Sequence, residues 1–186
     1  AYVYAYTGTL SFTDFPGLYG NQLAQAQQIA SLADFIEQLK GFLAQPMILL
    51  GSGLIVIAIA FKLSLAPFHK WTPDVYQGAP APIATYLATV AKVATIGLLV
   101  RFILSSGFIL VPSIVTVLTV IAVLSILVGN FLALRQVNLK RILGYSSIAH
   151  FGYLLIALIS LGYASLGSVS VYVVTYTLTT IGAFGA

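Results

Sequence analysis

Long apolar runs separated by short polar breaks fill most of this chain. A membrane-spanning helix needs about 20 mostly apolar residues. Four runs meet that length: Met47 to Phe68, Ile83 to Leu104, Val111 to Leu134 and Leu139 to Leu161. A fifth spans 168–186, and residues 1–6 read as the tail of an earlier span. Because both ends fall in apolar runs, the sequence is expected to be a segment of a longer protein. The short connections predict antiparallel neighbours in one all-α, polytopic transmembrane bundle over residues 46–186.

Residues 7–45 break this pattern. They hold Asp14, Asp34, Glu37 and Lys40, and a turn at Phe15-Pro16-Gly17. From Asn21 to Leu43 apolar positions recur at helical steps, with Leu32, Phe35, Ile36 and Leu39 on one face. Ser31 is a candidate cap. The spacing predicts an extramembrane loop carrying an amphipathic helix that lies on the membrane surface or on a neighbour.

Composition strengthens the membrane reading. Hydrophobic residues make up 60% of the chain and charged residues only 6%, against about a quarter in soluble domains. Lipid is therefore the natural solvent for most of this surface. The formal charge is +4, but the bases stand singly among apolar runs, which argues against nucleic-acid binding. Without cysteine, the segment offers no disulfide, thiol or iron–sulfur chemistry. Its two histidines and four separated acids make a metal site an unpromising expectation. Arg135, Lys140 and Arg141 form the richest basic cluster, so the positive-inside rule places that loop, and with it the 69–80 connection, on the cytoplasmic side. The 7–45, 105–110 and 162–167 stretches then fall outside.

The informative residues are polar groups inside apolar runs. Lys62 lies fifteen residues after Met47, roughly 22 Å along a helix at 1.5 Å per residue. Lys92 sits near the middle of its span. A lysine at the bilayer centre costs on the order of 3 kcal/mol on insertion scales, and such residues usually face a bundle interior and serve ion or proton movement. Lys62 has an alternative, snorkelling to the nearby interface. Thr85, Thr89, Lys92 and Thr95 share one helical face. That stripe would suit water and proton passage, unless the threonines bond back to their own helix. His150 has Ser146 and Ser147 on its face and is either a relay or a packing residue.

Pro67 removes a backbone donor and clashes with the carbonyl of Leu63, predicting a helix break just after Lys62. Broken helices in membranes line cavities or pack inside protein. An ammonium beside freed carbonyls responds to small movements, because burial disfavours its charge and acceptors favour it. His69 could carry protons between Lys62 and the cytoplasm. Lys70 and Trp71 fit interfacial anchoring, Asp74 is expected to pair with Lys70 one turn earlier, and Pro82 suits the first turn of the next helix.

Two blocks carry a resemblance. Phe61-Lys62-Leu63-Ser64-Leu65-Ala66-Pro67-Phe68-His69-Lys70-Trp71-Thr72-Pro73-Asp74-Val75-Tyr76-Gln77-Gly78-Ala79-Pro80-Ala81-Pro82 resembles the signature of the N subunit, or subunit 2, of respiratory complex I (NADH-quinone oxidoreductase). Asn138-Leu139-Lys140-Arg141-Ile142-Leu143-Gly144-Tyr145-Ser146-Ser147-Ile148-Ala149-His150-Phe151-Gly152-Tyr153 is similar to a second block. The L and M subunits and the cation/proton antiporter subunits share the Lys-to-Pro pattern, whereas Asp74-Val75-Tyr76-Gln77-Gly78 points to N. The resemblance implies an antiporter-like fold of inverted repeats, with Lys62 on its broken helix and Lys92 on the next. It implies a redox-coupled pump in which protons move through Lys62, Lys92, the Thr85–Thr89 face, His69 and His150. It further implies a bacterial inner (cytoplasmic) membrane location, with other membrane subunits of complex I and lipid as partners. NAD, FMN, iron–sulfur clusters and quinone are expected in other subunits, with no catalytic, metal or cofactor residue in this chain. A subunit of a Na+/H+ antiporter is the alternative. The implied path also needs a glutamate on an earlier helix and a later lysine, and neither is in this sequence. Lys70 stands where an uncharged residue is expected.

Overall fold

A computed structural model describes residues 32–43, 45–106, 111–161 and 166–185. The expected tail at 1–6, the loop up to residue 31 with its Ser31 cap, and parts of the 105–110 and 162–167 connections lie outside the described residues. The elements are α1 (Leu32–Leu43), α2 (Pro46–Leu63), α3 (Trp71–Gly78), α4 (Ala81–Ala88), α5 (Val90–Ser106), α6 (Pro112–Ala133), α7 (Leu139–Leu161) and α8 (Leu166–Gly185). Among the described residues, five stretches are long and apolar enough to cross a membrane: Pro46–Leu63, Ala81–Leu104, Pro112–Ala133, Leu139–Ser160 and Leu166–Gly185. α1 presents Leu39, Phe42 and Leu43 to the core, as its amphipathic spacing requires.

The core gathers Val56, Ile59 and Leu63 of α2 with Leu99 and Phe102 of α5, Leu118 and Ile121 of α6, and Leu154 and Leu158 of α7. α6 and α7 form the most extensive helix pair. Glycines permit it: a Cβ at Gly129 would fall 2.7 Å from the backbone nitrogen of Ala149, and one at Gly152 would fall 3.0 Å from the Ala122 carbonyl oxygen. Small residues let helix backbones approach in this way in membranes, where packing replaces the hydrophobic drive. The outward faces are also apolar. Phe131 and Val120 of α6 and Val171, Val174 and Leu178 of α8 are exposed, a surface that suits lipid or another apolar neighbour.

The first discontinuity falls where Pro67 predicts it. α2 ends at Leu63, and Ser64 adopts the left-handed conformation (φ 64°, ψ 33°). The Ser64 N–H donates to the Phe61 carbonyl at 3.1 Å and the Leu65 N–H to the Ala60 carbonyl at 2.8 Å. This is a Schellman ending with serine where glycine is usual, a conformation costing about 1–3 kcal/mol. The Ser64 hydroxyl in turn accepts a hydrogen bond from Thr72, which ties the helix end to α3.

The expected span from Ile83 to Leu104 stands as one membrane-length stretch, but it holds a second discontinuity that its sequence did not announce. The helix is interrupted at Thr89 (φ −109°, ψ −81°), between α4 and α5. The Thr89 hydroxyl donates to the Thr85 carbonyl at 2.7 Å, a back-bond that bends helices. Tyr176, from α8, donates to the Ala88 carbonyl at 3.3 Å. A side chain from a distant helix thus takes up a backbone acceptor at the break, which no proline or glycine marks.

Candidate functional site

Lys92 stands in the first turn of α5, directly after the break, and is only 1% exposed. Its ammonium donates to the Ser147 hydroxyl of α7. It lies 4.9 Å from the centre of the Phe151 ring and 5.8 Å from that of Tyr76. Aromatic faces attract a cation through their quadrupole. The pocket therefore supports the charge with π-faces and one hydroxyl, and no acid pairs with Lys92 among the described residues. α3 supplies Tyr76, which is fully buried and packs edge-on to Phe184 of α8. The Tyr76 hydroxyl makes no hydrogen bond among the described residues. It is a buried polar atom with spare capacity beside the lysine.

His150 borders the same cluster. Its Nδ1 lies 2.6 Å from the Tyr172 hydroxyl, and its ring is 5.5 Å from that of Tyr176. Tyr176 also packs on Phe151, at 5.1 Å between ring centres. Ser147, His150 and Phe151 follow at steps of three and one along α7, so one face serves both Lys92 and the histidine. The structure brings Lys92, Ser147, Tyr76, Phe151 and Tyr176 together, with His150 and Tyr172 next to them.

The other expected residues are placed differently. The hydroxyls of Thr85, Thr89 and Thr95 donate to the carbonyls of Ala81, Thr85 and Ala91 at 2.7–2.8 Å. Their protons are held by their own helix, while each oxygen keeps acceptor capacity. Lys62 occupies the last turn of α2 and is exposed. It makes no hydrogen bond or ion pair with another described residue, and no contact joins it to Lys92. His69 is buried in the connection between α2 and α3, and its Nδ1 is unpartnered among the described residues. Burial first, and then the Lys70 charge, hold His69 below the ordinary histidine range, which favours its neutral form.

Three features escaped the sequence. The Trp71 indole donates to the Phe61 carbonyl at 3.2 Å and its ring stacks on Phe61 at 5.7 Å, so this expected interface anchor also caps the broken helix. Asp74 does not pair with Lys70. It meets Arg141 of α7 at 2.6 Å, because the fold lays α3 along the start of α7. Ser125 of α6 accepts the Ala66 N–H at 2.8 Å and donates to the Ile121 carbonyl at 2.6 Å. It thereby satisfies a buried donor freed by the break. Replacing Ser125 with alanine should leave that N–H unpaired and cost about 1–3 kcal/mol. A lower unfolding midpoint of the detergent-solubilised parent protein, with its helical content unchanged, would check this.

An apolar bundle with a broken span and a lysine enclosed beside a second break defines a polytopic α-helical membrane protein built on discontinuous helices. Within that class, the chain belongs to the family described as NADH:quinone oxidoreductase/Mrp antiporter, TM, which matches over residues 1–186. It is 70% identical over 186 residues to the NADH-quinone oxidoreductase subunit N of Acinetobacter baumannii (strain AB0057), covering all of this chain and 33% of that protein. It is 49% identical over 185 residues to the subunit N of Psychrobacter arcticus (strain DSM 17307 / VKM B-2377 / 273-4), covering 100% of this chain and 34% of the relative. The chain thus spans about a third of the length of these curated relatives. A chain of the respiratory complex I from Thermus thermophilus with bound Aureothin superposes with a TM-score of 0.65 at 33% identity, covering 98% of this chain and 42% of that one.

Proposed function

We propose that this chain is part of the N subunit of a proton-pumping NADH-quinone oxidoreductase, and that Lys92 is a proton-holding group in it. The observation that carries the reading is the Lys92 pocket: an ammonium almost wholly withdrawn from solvent, held by one hydroxyl and two aromatic rings, next to a helix break. The names of the relatives favour the N subunit over an antiporter.

In this reading Lys62 is the first proton site, placed at the end of the broken helix. Protons pass between Lys62 and Lys92 along water beside the Thr85–Thr89 face, whose oxygens are free to accept. Ser147 shares the Lys92 proton, and His150 with Tyr172 offers the next titratable group. His69 links Lys62 toward the cytoplasmic side. The site binds no cofactor: NAD, FMN, iron–sulfur clusters and quinone belong to other subunits, and quinone reduction there drives the movement. The setting is the inner (cytoplasmic) membrane of a bacterium, with other complex I membrane subunits and lipid around it.

The test uses the parent complex in sealed vesicles. NADH-driven quinone reduction should take up protons in sodium-free buffer, and uncoupler should abolish the gradient while leaving electron transfer. Sodium-dependent proton exchange without quinone chemistry would overturn this reading in favour of the antiporter.

A further inference from the structure

Tyr76 closes the Lys92 pocket from α3, a two-turn helix that no continuous span supports. Three polar contacts fix this helix to the beginning of α7. The Arg141 guanidinium meets Asp74 at 2.6 Å and Gln77 at 2.9 Å. Its Nε donates to Gln136 at 3.0 Å, which orients the fork. Lys140 donates to the Ala79 carbonyl, just past α3, at 2.9 Å. Beneath them the two backbones nearly touch: a Cβ at Gly144 would meet the Pro73 Cα at 3.1 Å.

We propose that Asp74 and Arg141 are positioning residues whose ion pair clamps α3 onto α7 and so keeps Tyr76 closed over the Lys92 ammonium. An isolated surface pair contributes little, but a pair within a network, made by a fork that engages several acceptors, contributes more. Here one guanidinium engages Asp74, Gln77 and Gln136 together. Tyr76 lies two residues after Asp74 on the same short helix, so a shift of the clamp moves the lid. The Asp74 carboxylate is 69% exposed and the Arg141 side chain 27%, so the clamp sits at the rim while the lid is buried. The consequence for pumping rests on the proposed role of Lys92, but the closure itself is testable without it.

The chain has no cysteine, so a thiol at Ala84 is unique within this segment. Ala84 is fully buried in the cluster that Tyr76 forms with Ala88 and Phe184. Ala84→Cys in the full-length protein within its complex would be exposed to a water-soluble maleimide, and the adduct read by mass spectrometry of that peptide. Asp74→Asn and Arg141→Gln should each speed labelling by about fivefold, the population shift that one such contact can impose. Arg141→Lys, which keeps the charge but loses the fork, tests the same opening with less risk to assembly. Combining Asp74→Arg with Arg141→Asp should return labelling toward the parent rate. Parent-like labelling in all single variants overturns the clamp. Fast labelling that the exchange fails to slow overturns the pairing. If labelling follows the proposal but Lys92→Met pumps normally, the proton role of Lys92 fails and the clamp stands.

Discussion

Replacing Lys92 with methionine should abolish coupled proton uptake while the complex still assembles. Methionine keeps an unbranched stem of similar length between Tyr76 and Phe151 and removes the ammonium, with its charge and its hydrogen bond to Ser147. Exchanging a buried charge for an apolar group of similar volume is often neutral or stabilising, so loss of fold is not the expected cause. A positioned proton-transfer group contributes roughly a hundredfold or more, and proton uptake in sealed vesicles should fall by that order. Lys92→Arg discriminates further. Arginine keeps a positive charge but does not release its proton, so it should fail as methionine does. Full pumping in the arginine variant would show that a fixed charge suffices, and full pumping in the methionine variant would remove Lys92 from the path. Ser147→Ala should have a smaller effect, because the ammonium keeps its two rings and loses one acceptor.

The distribution of charge made this site legible. In a chain with so few charged residues, a lysine in mid-span stands out because lipid would penalise it, and the structure gives it an enclosed place. The five apolar stretches were legible for the same reason, since their lengths match a bilayer. Pro67 announced the first break through its missing donor. The second break was not readable. Thr89 looks like any threonine in a span, and the interruption involves Tyr176, which lies 88 residues from the Ala88 carbonyl it engages. Ser64 was equally silent, because a left-handed serine carries no signal that glycine would have carried. The Asp74 expectation failed for a related reason: a four-residue step favoured Lys70, but the partner, Arg141, is 67 residues away. Ser125, 59 residues from the N–H it satisfies, could be found only once α6 was placed. Local rules thus located the elements and the anomalous charges, whereas the contacts that complete the site depend on tertiary packing.

Lys62 should show the second large effect, and for a different reason. It lies in the last turn of α2 and is exposed, with no acid or acceptor among the described residues holding it. The break beside it does not depend on it: Ser64, Leu65 and Trp71 satisfy the Ala60 and Phe61 carbonyls, and Ser125 satisfies Ala66. Lys62→Met should therefore leave the fold of these residues intact, with unchanged helical content and unchanged assembly. A structural lysine here would act through the partial negative charge at the helix C-terminus, a small effect that arginine would supply equally well. A proton carrier must also let its proton go, which arginine does not do. The expected result is that Lys62→Met and Lys62→Arg both lower quinone-linked proton uptake by roughly a hundredfold, the scale of a lost transfer group. If Lys62→Arg pumps at the parent rate, Lys62 serves as a helix-end charge and the proton enters the Lys92 pocket by another group. If Lys62→Met also pumps at the parent rate, the lysine has no part in transport and reaches the interface only to keep its charge in water. Because the break is held by other residues, a fall in pumping in both variants with assembly intact is assigned to the ammonium's releasable proton and not to the fold or to a helix-end charge.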